Sequence, residues 1–454
     1  MKKLFFLGIL MILSGCLTPQ SKNKKFTPEV AREQAFQAWN DTLPEILKKI
    51  VPPVFKDTVY LISDTLNFRE KLNTTIQEAS QNGGGVVKVL PGTYFVKGPI
   101  RMKSDVNLKL SEGAQLVFSA HPDDYLPVVK TRWEGTFCLN YSPLIYALGE
   151  KNIAITGKGS IHGQAASFFH SWKQKQKNDK KRLRKMGNDQ IPLEERVFGK
   201  GHFLRPSGIE FIECRNILLE DFQIKESPFW TIHPVLSENI TIRKLRIDAG
   251  TTNDDGIDPD SCKNVLIENC HITTHDDCVA IKAGRDQDGW QYPGSSNIVV
   301  RNNTFRTKVG SGFCIGSEMS GGVHNIFVEN NTIVSNKHAF NFKSNPDRGG
   351  FMKHLYMRNM QIDSARYGLA FTTDYKGWRG NNYPTAYSDF FIENITFNSV
   401  GEVPVSITGL AQKPIERVYI HRLTVKKTDS ALKKIHTKDV LLDHVIINGE
   451  KIDP

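Results

Sequence analysis

Two hydrophobic rhythms divide the chain. Over residues 27–50 apolar side chains recur at helical spacing, and Thr27-Pro28 supplies a start signal. A second short helix is predicted over 75–80, stopped by Gly83-Gly84-Gly85. From about residue 85 the rhythm changes to short strands of Val, Ile, Leu and Phe, separated by Gly, Asn, Asp and Ser. Both helices are expected to cap the N-terminal end of this strand-rich region.

One phrase recurs through the second part: Asn, alternating apolar residues, a polar pair, then another short strand. It reads KNIAITGKGSI (151–161), RNILLEDFQI (215–224), ENITIRKLRI (238–247), KNVLIENCHI (263–272), SNIVVRNNTF (296–305) and HNIFVENNTI (324–333). Weaker versions start at 353, 388 and 416. Spacings of about 23 to 36 residues mean stacked supersecondary units. Each unit holds two or three strands and leaves no room for a helix, which excludes leucine-rich and helical solenoids. Propeller blades need about 40 residues each. The pattern therefore predicts an all-β, single-domain, right-handed parallel β-helix with a short helical N-terminal cap. Its coils pair at about 4.8 Å, so equivalent residues stack in columns, and the recurrent Asn is expected to form a hydrogen-bonded ladder.

The start of the chain changes the compartment. Lys2 and Lys3 precede the apolar run Leu4 to Leu13, too short to span a bilayer, which ends in Leu13-Ser14-Gly15-Cys16. That layout is a secretory signal and resembles a bacterial lipobox, with Cys16 as the lipid-bearing residue. The expected organisation is a signal peptide over 1–15, a tether over 16–25, a helical cap region over 26–84 and the β-helix over 85–454. The product would hang from the cell envelope by acyl chains, at an outer membrane, on its periplasmic or surface face. The other six cysteines show no CxxC metal spacing and read mostly as small core residues, with a disulfide possible. A net charge of +11 favours an acidic partner. Secretion points to polyuronic acid rather than nucleic acid. Much of the excess sits in KQKQKNDKKRLRK (173–185), either a solvated segment or a lid over a polyanion groove.

Three consecutive repeats hold unusual residues: Asn253-Asp254-Asp255-Gly256-Ile257-Asp258, His275-Asp276-Asp277-Cys278 and Gly310-Ser311-Gly312. Asp255 and Asp277 lie 22 residues apart, close to one coil, and should project from neighbouring coils on one face. Like charges held so closely resist simultaneous ionisation, so one carboxyl keeps its proton. A glycosidase uses such an arrangement: a protonated carboxyl serves the leaving oxygen while a carboxylate activates water or attacks. A lone Asp pair would be ordinary turn chemistry; the combination carries the inference.

These residues resemble glycoside hydrolase family 28, the polygalacturonases and their relatives, from about Asp57 to the C-terminus. NGGGVVKVLPGTYFVKGPIRMKSDVNLKLSEGAQL (82–116) is similar to the family's N-terminal coils. TRWEG (131–135), NYSPLIYA (140–147), SPFWTIHPV (227–235), NDDGIDPDSCKNVLIENC (253–270), DDCVAIKAG (276–284) and IGSEMSGGV (315–323) are similar to its exo-acting branch. The resemblance implies inverting hydrolysis without cofactor or metal. Asp276 would be the general acid, and Asp255 with Asp277 would hold and deprotonate the water, across about 6.5–9.5 Å. Asn253 opens the first motif. The family's Gly-His-Gly falls on Gly310-Ser311-Gly312, so Ser311 replaces a His that contacts the sugar. Its Arg-Ile-Lys falls on Asn341-Phe342-Lys343: Lys343 survives and the carboxylate-gripping Arg does not. Either the neighbouring sugar bears no carboxylate, as in rhamnogalacturonan, or Arg348 compensates from the next turn. Trp133, Arg132 and His233 lie in strings that form the sugar pocket of the exo-acting branch, and Tyr375 matches a Tyr near the leaving-side sugar.

The sequence thus points to a monomeric hydrolase of α-galacturonic linkages in pectin, exo-acting, on homogalacturonan or rhamnogalacturonan, and binding no nucleic acid. Three other readings stay open: a non-catalytic pectin-binding lipoprotein, a Ca²⁺-dependent pectate lyase whose motifs the chain lacks, and a structural fibre or adhesin β-helix, which has no reason to keep an acidic cluster.

Overall fold

The computed structural model describes residues 25–380 and 382–452; Cys16, the signal segment and most of the tether lie outside them. From Val59–Ile62 onward the chain winds as a parallel β-helix closed by one antiparallel pair, Thr437–Ile447 with Glu450–Ile452. Three faces run along it. The first stacks Ile153, Ile217, Ile240, Val265, Ile298, Ile326, Leu355, Phe390 and Val418 in one inward column. All nine are buried. A column of this kind is a one-dimensional core, which lets the domain lengthen without thickening.

The expected Asn ladder stands at the entry to this face. Asn152, Asn216, Asn239, Asn264, Asn297 and Asn325 all adopt positive φ, which Asn tolerates better than most residues. Asn216 donates to Asn152 and Asn239 to Asn216, each at 2.7 Å, and Asn297 donates to Asn264 at 2.9 Å. Asn264 departs from the series and donates to Glu238 at 3.2 Å. The six described cysteines are buried and free, so the possible disulfide does not form.

The two N-terminal helices part company. Phe68–Gln81 closes the first coil with Phe68, Leu72 and Ile76 in the main core. It is longer than the 75–80 that the sequence predicts. Thr27 caps Pro28–Gln37 as expected, accepting from the Val30 amide at 3.4 Å. That helix and its continuation through Leu43–Lys49 do not cap the end. They lie along the flank, where Ala31, Ala35, Trp39, Leu43 and Ile46 cover Leu266, Val299, Phe327, Tyr356, Phe391 and Tyr419. The reason is the period of two. These six residues each follow an inward residue and so point outward, as an apolar stripe six coils long that water would otherwise meet.

Two long excursions leave the coils in the N-terminal half. One is the hairpin Val129–Trp133 and Thr136–Asn140. Its tip residue Gly135 has φ +79°, and a Cβ there would stand 3.0 Å from Arg285 and Glu318. The other is the segment between Ser160–His162 and Ile209–Ile212, which carries the helix Lys177–Asn188.

Trp39 is the anchor of the flanking helix, with its ring 5.2 Å from Phe327 and 6.4 Å from Tyr356. Trp39→Ala should lower the unfolding free energy by about 3 kcal/mol. Urea denaturation checks it, and a midpoint unchanged from the parent would mean the helix is a passive cover.

Candidate active site

The third face carries the chemistry. Ile232, Ile257 and Val279 pair coil to coil, then Val279 with Phe313, Phe313 with Phe340 and Phe340 with Leu369. Two residues before each stand Trp230, Asp255, Asp277, Ser311, His338 and Tyr367. These six form one column, and the first five line a single cavity of about 520 Å³, a size usual for small-molecule sites. One residue beyond the paired Ile281, Ile315 and Phe342 stand Lys282, Gly316 and Lys343, a second column beside the first. Asp276 and Asn253 lie on the intervening turns and line the same cavity.

Burial and two lysines divide the carboxylates into unlike states. Burial alone would raise Asp277, but Lys343 and Lys282 outweigh it, and the carboxyl is held well below the usual range. Lys343 Nζ donates to its Oδ2 at 2.7 Å and the Ser311 amide to its Oδ1 at 2.7 Å. The Cys314 thiol donates to Oδ2 at 3.2 Å. Asp276 has no such cation in contact. Burial and the neighbouring Asp277 charge raise its pKa, and the Asn253 side-chain amide donates to its Oδ2 at 3.3 Å. Asp255 is raised well above its ordinary value by burial and by Asp258, despite Lys282 Nζ at 3.5 Å. Asp254 faces away from the cavity and accepts the backbone amides of Thr251, His275 and Asp276 at 2.8 to 3.1 Å, which fixes the turn.

Basic groups crowd the walls. Lys180, Arg184, Lys282, Arg285, Lys337, Lys343, Arg348 and Lys376 all line the cavity. Lys180 and Arg184, from the Lys177–Asn188 helix, converge on Glu134 at 2.7 and 2.6 Å. The basic run is therefore partly a wall of the cavity rather than only a solvated face. Arg285 pairs with Glu318 at 2.7 Å. Arg205 is fully buried and donates to Asn253 Oδ1 at 2.8 Å, holding the amide that reaches Asp276.

The structure brings Asp255, Asp276, Asp277, Asn253, Ser311, Lys343, Arg348 and Tyr375 to the cavity. Tyr375 presents its ring 5.7 Å from Lys343 Nζ. Arg348 is there, but its donors are engaged: Nε with Ser317 O at 2.7 Å and Nη1 with Asp286 at 2.5 Å. Arg132, Trp133 and His233 are placed one layer behind the wall. Arg132 is paired with buried Asp260 at 3.2 Å. His233 sits between Glu210 and Asp260, at 3.8 and 3.6 Å. Trp133 stacks on Phe229 and donates to Arg205 O at 3.1 Å. They brace Trp230, whose ring meets His233 edge-on at 4.8 Å. The motifs of the sequence do not single out Lys282 or His338. Each occupies a column position shared with a motif residue, so aligning the repeats by register finds both.

A family model described as Glycosyl hydrolases family 28 matches residues 199–448. The chain belongs to glycosyl hydrolase family 28. It is therefore a glycoside hydrolase by family. A curated relative, a probable polygalacturonase from Vitis vinifera, is 28% identical over 392 residues, covering 81% of this chain and 73% of the relative. An endo-polygalacturonase from Pectobacterium carotovorum subsp. carotovorum is 29% identical over 360 residues, covering 76% of this chain and 81% of that one. Among solved structures, a hyperthermoactive exopolygalacturonase from Thermotoga maritima is 35% identical with a TM-score of 0.83, covering 90% of this chain and 96% of that one.

Glu134 gives the site a measurable pH signature. Burial would raise its carboxyl, but Lys180 and Arg184 win and lower it from 4.5 to about 2. A depressed carboxyl contributes stability that is complete above its unfolded value and lost as pH falls through the folded one. Glu134→Gln should therefore lower the thermal midpoint at pH 6, with the gap to the parent narrowing between about 4.5 and about 2. A gap independent of pH would show that the two cations do not set this carboxyl.

Proposed function

We propose that this family 28 enzyme cleaves α-galacturonic acid linkages of pectin by inversion, from a chain end. The observation that carries the proposal is the unequal treatment of two adjacent carboxyls: Asp277 held ionised by Lys343, Asp276 raised beside it. Asp276 donates its proton to the glycosidic oxygen. Asp277 takes the proton of the attacking water, which Asp255 helps to hold. The pair titrates as a unit, and the active form has one proton on it. Eight basic side chains around the cavity suit a polyuronate, and the relatives named polygalacturonases support that substrate. The Glu134–Lys180–Arg184 wall and the likeness to an exopolygalacturonase support chain-end action.

One observation favours rhamnogalacturonan as a second reading. Asn341 lines the cavity where the family has a carboxylate-gripping Arg, and Arg348 has its donors committed elsewhere. The lipobox-like Leu13-Ser14-Gly15-Cys16 supports attachment of the mature enzyme to the cell envelope through acyl chains on Cys16.

Incubation with defined oligogalacturonides and rhamnogalacturonan oligosaccharides should release galacturonic acid from at least one. Release from only one settles the polymer. Asp276→Asn should cost about 10²–10⁴ in turnover, and a loss of only a few-fold would remove Asp276 from the acid role. Lys343→Met deprives Asp277 of its cation, so its pKa rises. The acidic limb of the kcat/KM profile should then move to higher pH, and an unmoved limb would place the base elsewhere.

A further inference from the structure

The column that carries Asp255 and Asp277 continues past them, and its two ends differ. At one end Trp230 already carries two ring contacts. Phe229 stacks on it at 5.3 Å, and the Lys282 ammonium lies 4.6 Å from its ring centroid. At the other end His338 stacks on Tyr367, its partner in the next coil, at 4.8 Å and 18°. Stacking on a column neighbour sets the imidazole plane across the coil axis. Its second face therefore looks back toward Ser311, its partner in the preceding coil. Ser311 carries only a hydroxymethyl group, and both residues line the catalytic cavity. One coil spacing is about 4.8 Å, enough for the thickness of a ring laid on the imidazole.

We propose that Ser311 and His338 form a seat for the sugar unit next to the cleaved bond. One apolar face of the pyranose rests on the imidazole and a ring hydroxyl meets Ser311 Oγ. The seat is contiguous with the reacting groups, because the Ser311 amide is the donor to Asp277 Oδ1 at 2.7 Å. The charged groups facing His338 are Lys343, Asp277, Lys337 and Arg366. Burial and then Lys343 lower its pKa to about 4, so the ring is neutral above that and offers a face without charge. The proposal rests on the hydrolase reading above and names the residues that bind one of its sugars.

Three variants test it on oligogalacturonides and rhamnogalacturonan oligosaccharides. Ser311→His fills the seat with a second ring, and KM should rise about tenfold. A parent-like or higher kcat/KM would overturn the seat, since it would mean that a ring at 311 is tolerated or welcome. His338→Ala should raise KM about tenfold with kcat within about threefold, and His338→Phe, which keeps the face, should recover most of the loss. Equal losses for Ala and Phe would also overturn it. Should Ser311→His fail to fold, as read from its thermal midpoint, the His338 pair decides alone. The native enzyme reports separately on the underlying function: no turnover on either class of oligosaccharide removes the hydrolase reading, whereas native turnover with an unaffected Ser311→His removes only the seat.

Discussion

Coil-to-coil register is the constraint on which the rest depends. Parallel pairing fixes each residue against one partner above and one below, about 4.8 Å away. A slip by one residue would turn every side chain to the other face. The Asn ladder and the inward apolar column lock that register from Ile153 to Val418. Catalytic geometry follows from it without further device. Asp255, Asp277, Ser311 and His338 are separated by unequal stretches of sequence, because the turns between them differ in length. Apart from one shift between Phe305 and Arg306, the strands hold their register, so the four still stand in file.

Within that file the energetic contest is between desolvation and a few placed cations. Burial penalises every carboxylate in the cavity, and it is the first cause acting on Asp255, Asp276 and Asp277 alike. What differs is the company. Lys343 touches Asp277 and no cation touches Asp276. Lys282 stands at 3.5 to 3.8 Å from Asp255, Asp258 and Glu318, and so is shared among three acids. Burial raises both Asp255 and Asp258, and a cation divided in this way does not offset it. Two lysines in one column, two coils apart, thus impose different protonation states on carboxylates that are chemically identical.

The fold was legible because the strand phrase repeats, and repetition is a statement about the whole solenoid rather than about one element. The aspartates were legible because acidic residues one coil apart on one face have no structural purpose in common. Two things were hidden for physical reasons. The flanking helix covers a stripe made of outward residues such as Val299, Phe327 and Tyr356. In each strand singly these read as ordinary apolar positions, and only their alignment across coils reveals the stripe. Likewise Arg132, Trp133 and His233 lie in strings that name the pocket, but the strings do not say which layer each residue occupies. The ion pair between Arg132 and Asp260 and the burial of His233 put them behind Trp230.

The absence of an imidazole at position 311 takes on a different meaning in a columnar fold. Here the next coil presents the same position again at a fixed distance, and it holds His338. Moving a ring by one coil changes its role, because it then stands farther from Asp277 and leaves room over Ser311. That position also has Tyr367 as a backing on its far side, so the imidazole is held at one face and open at the other. The ring is thereby suited to carry a sugar. A solenoid can in this way shift a binding surface along its axis while the reacting carboxylates stay in place.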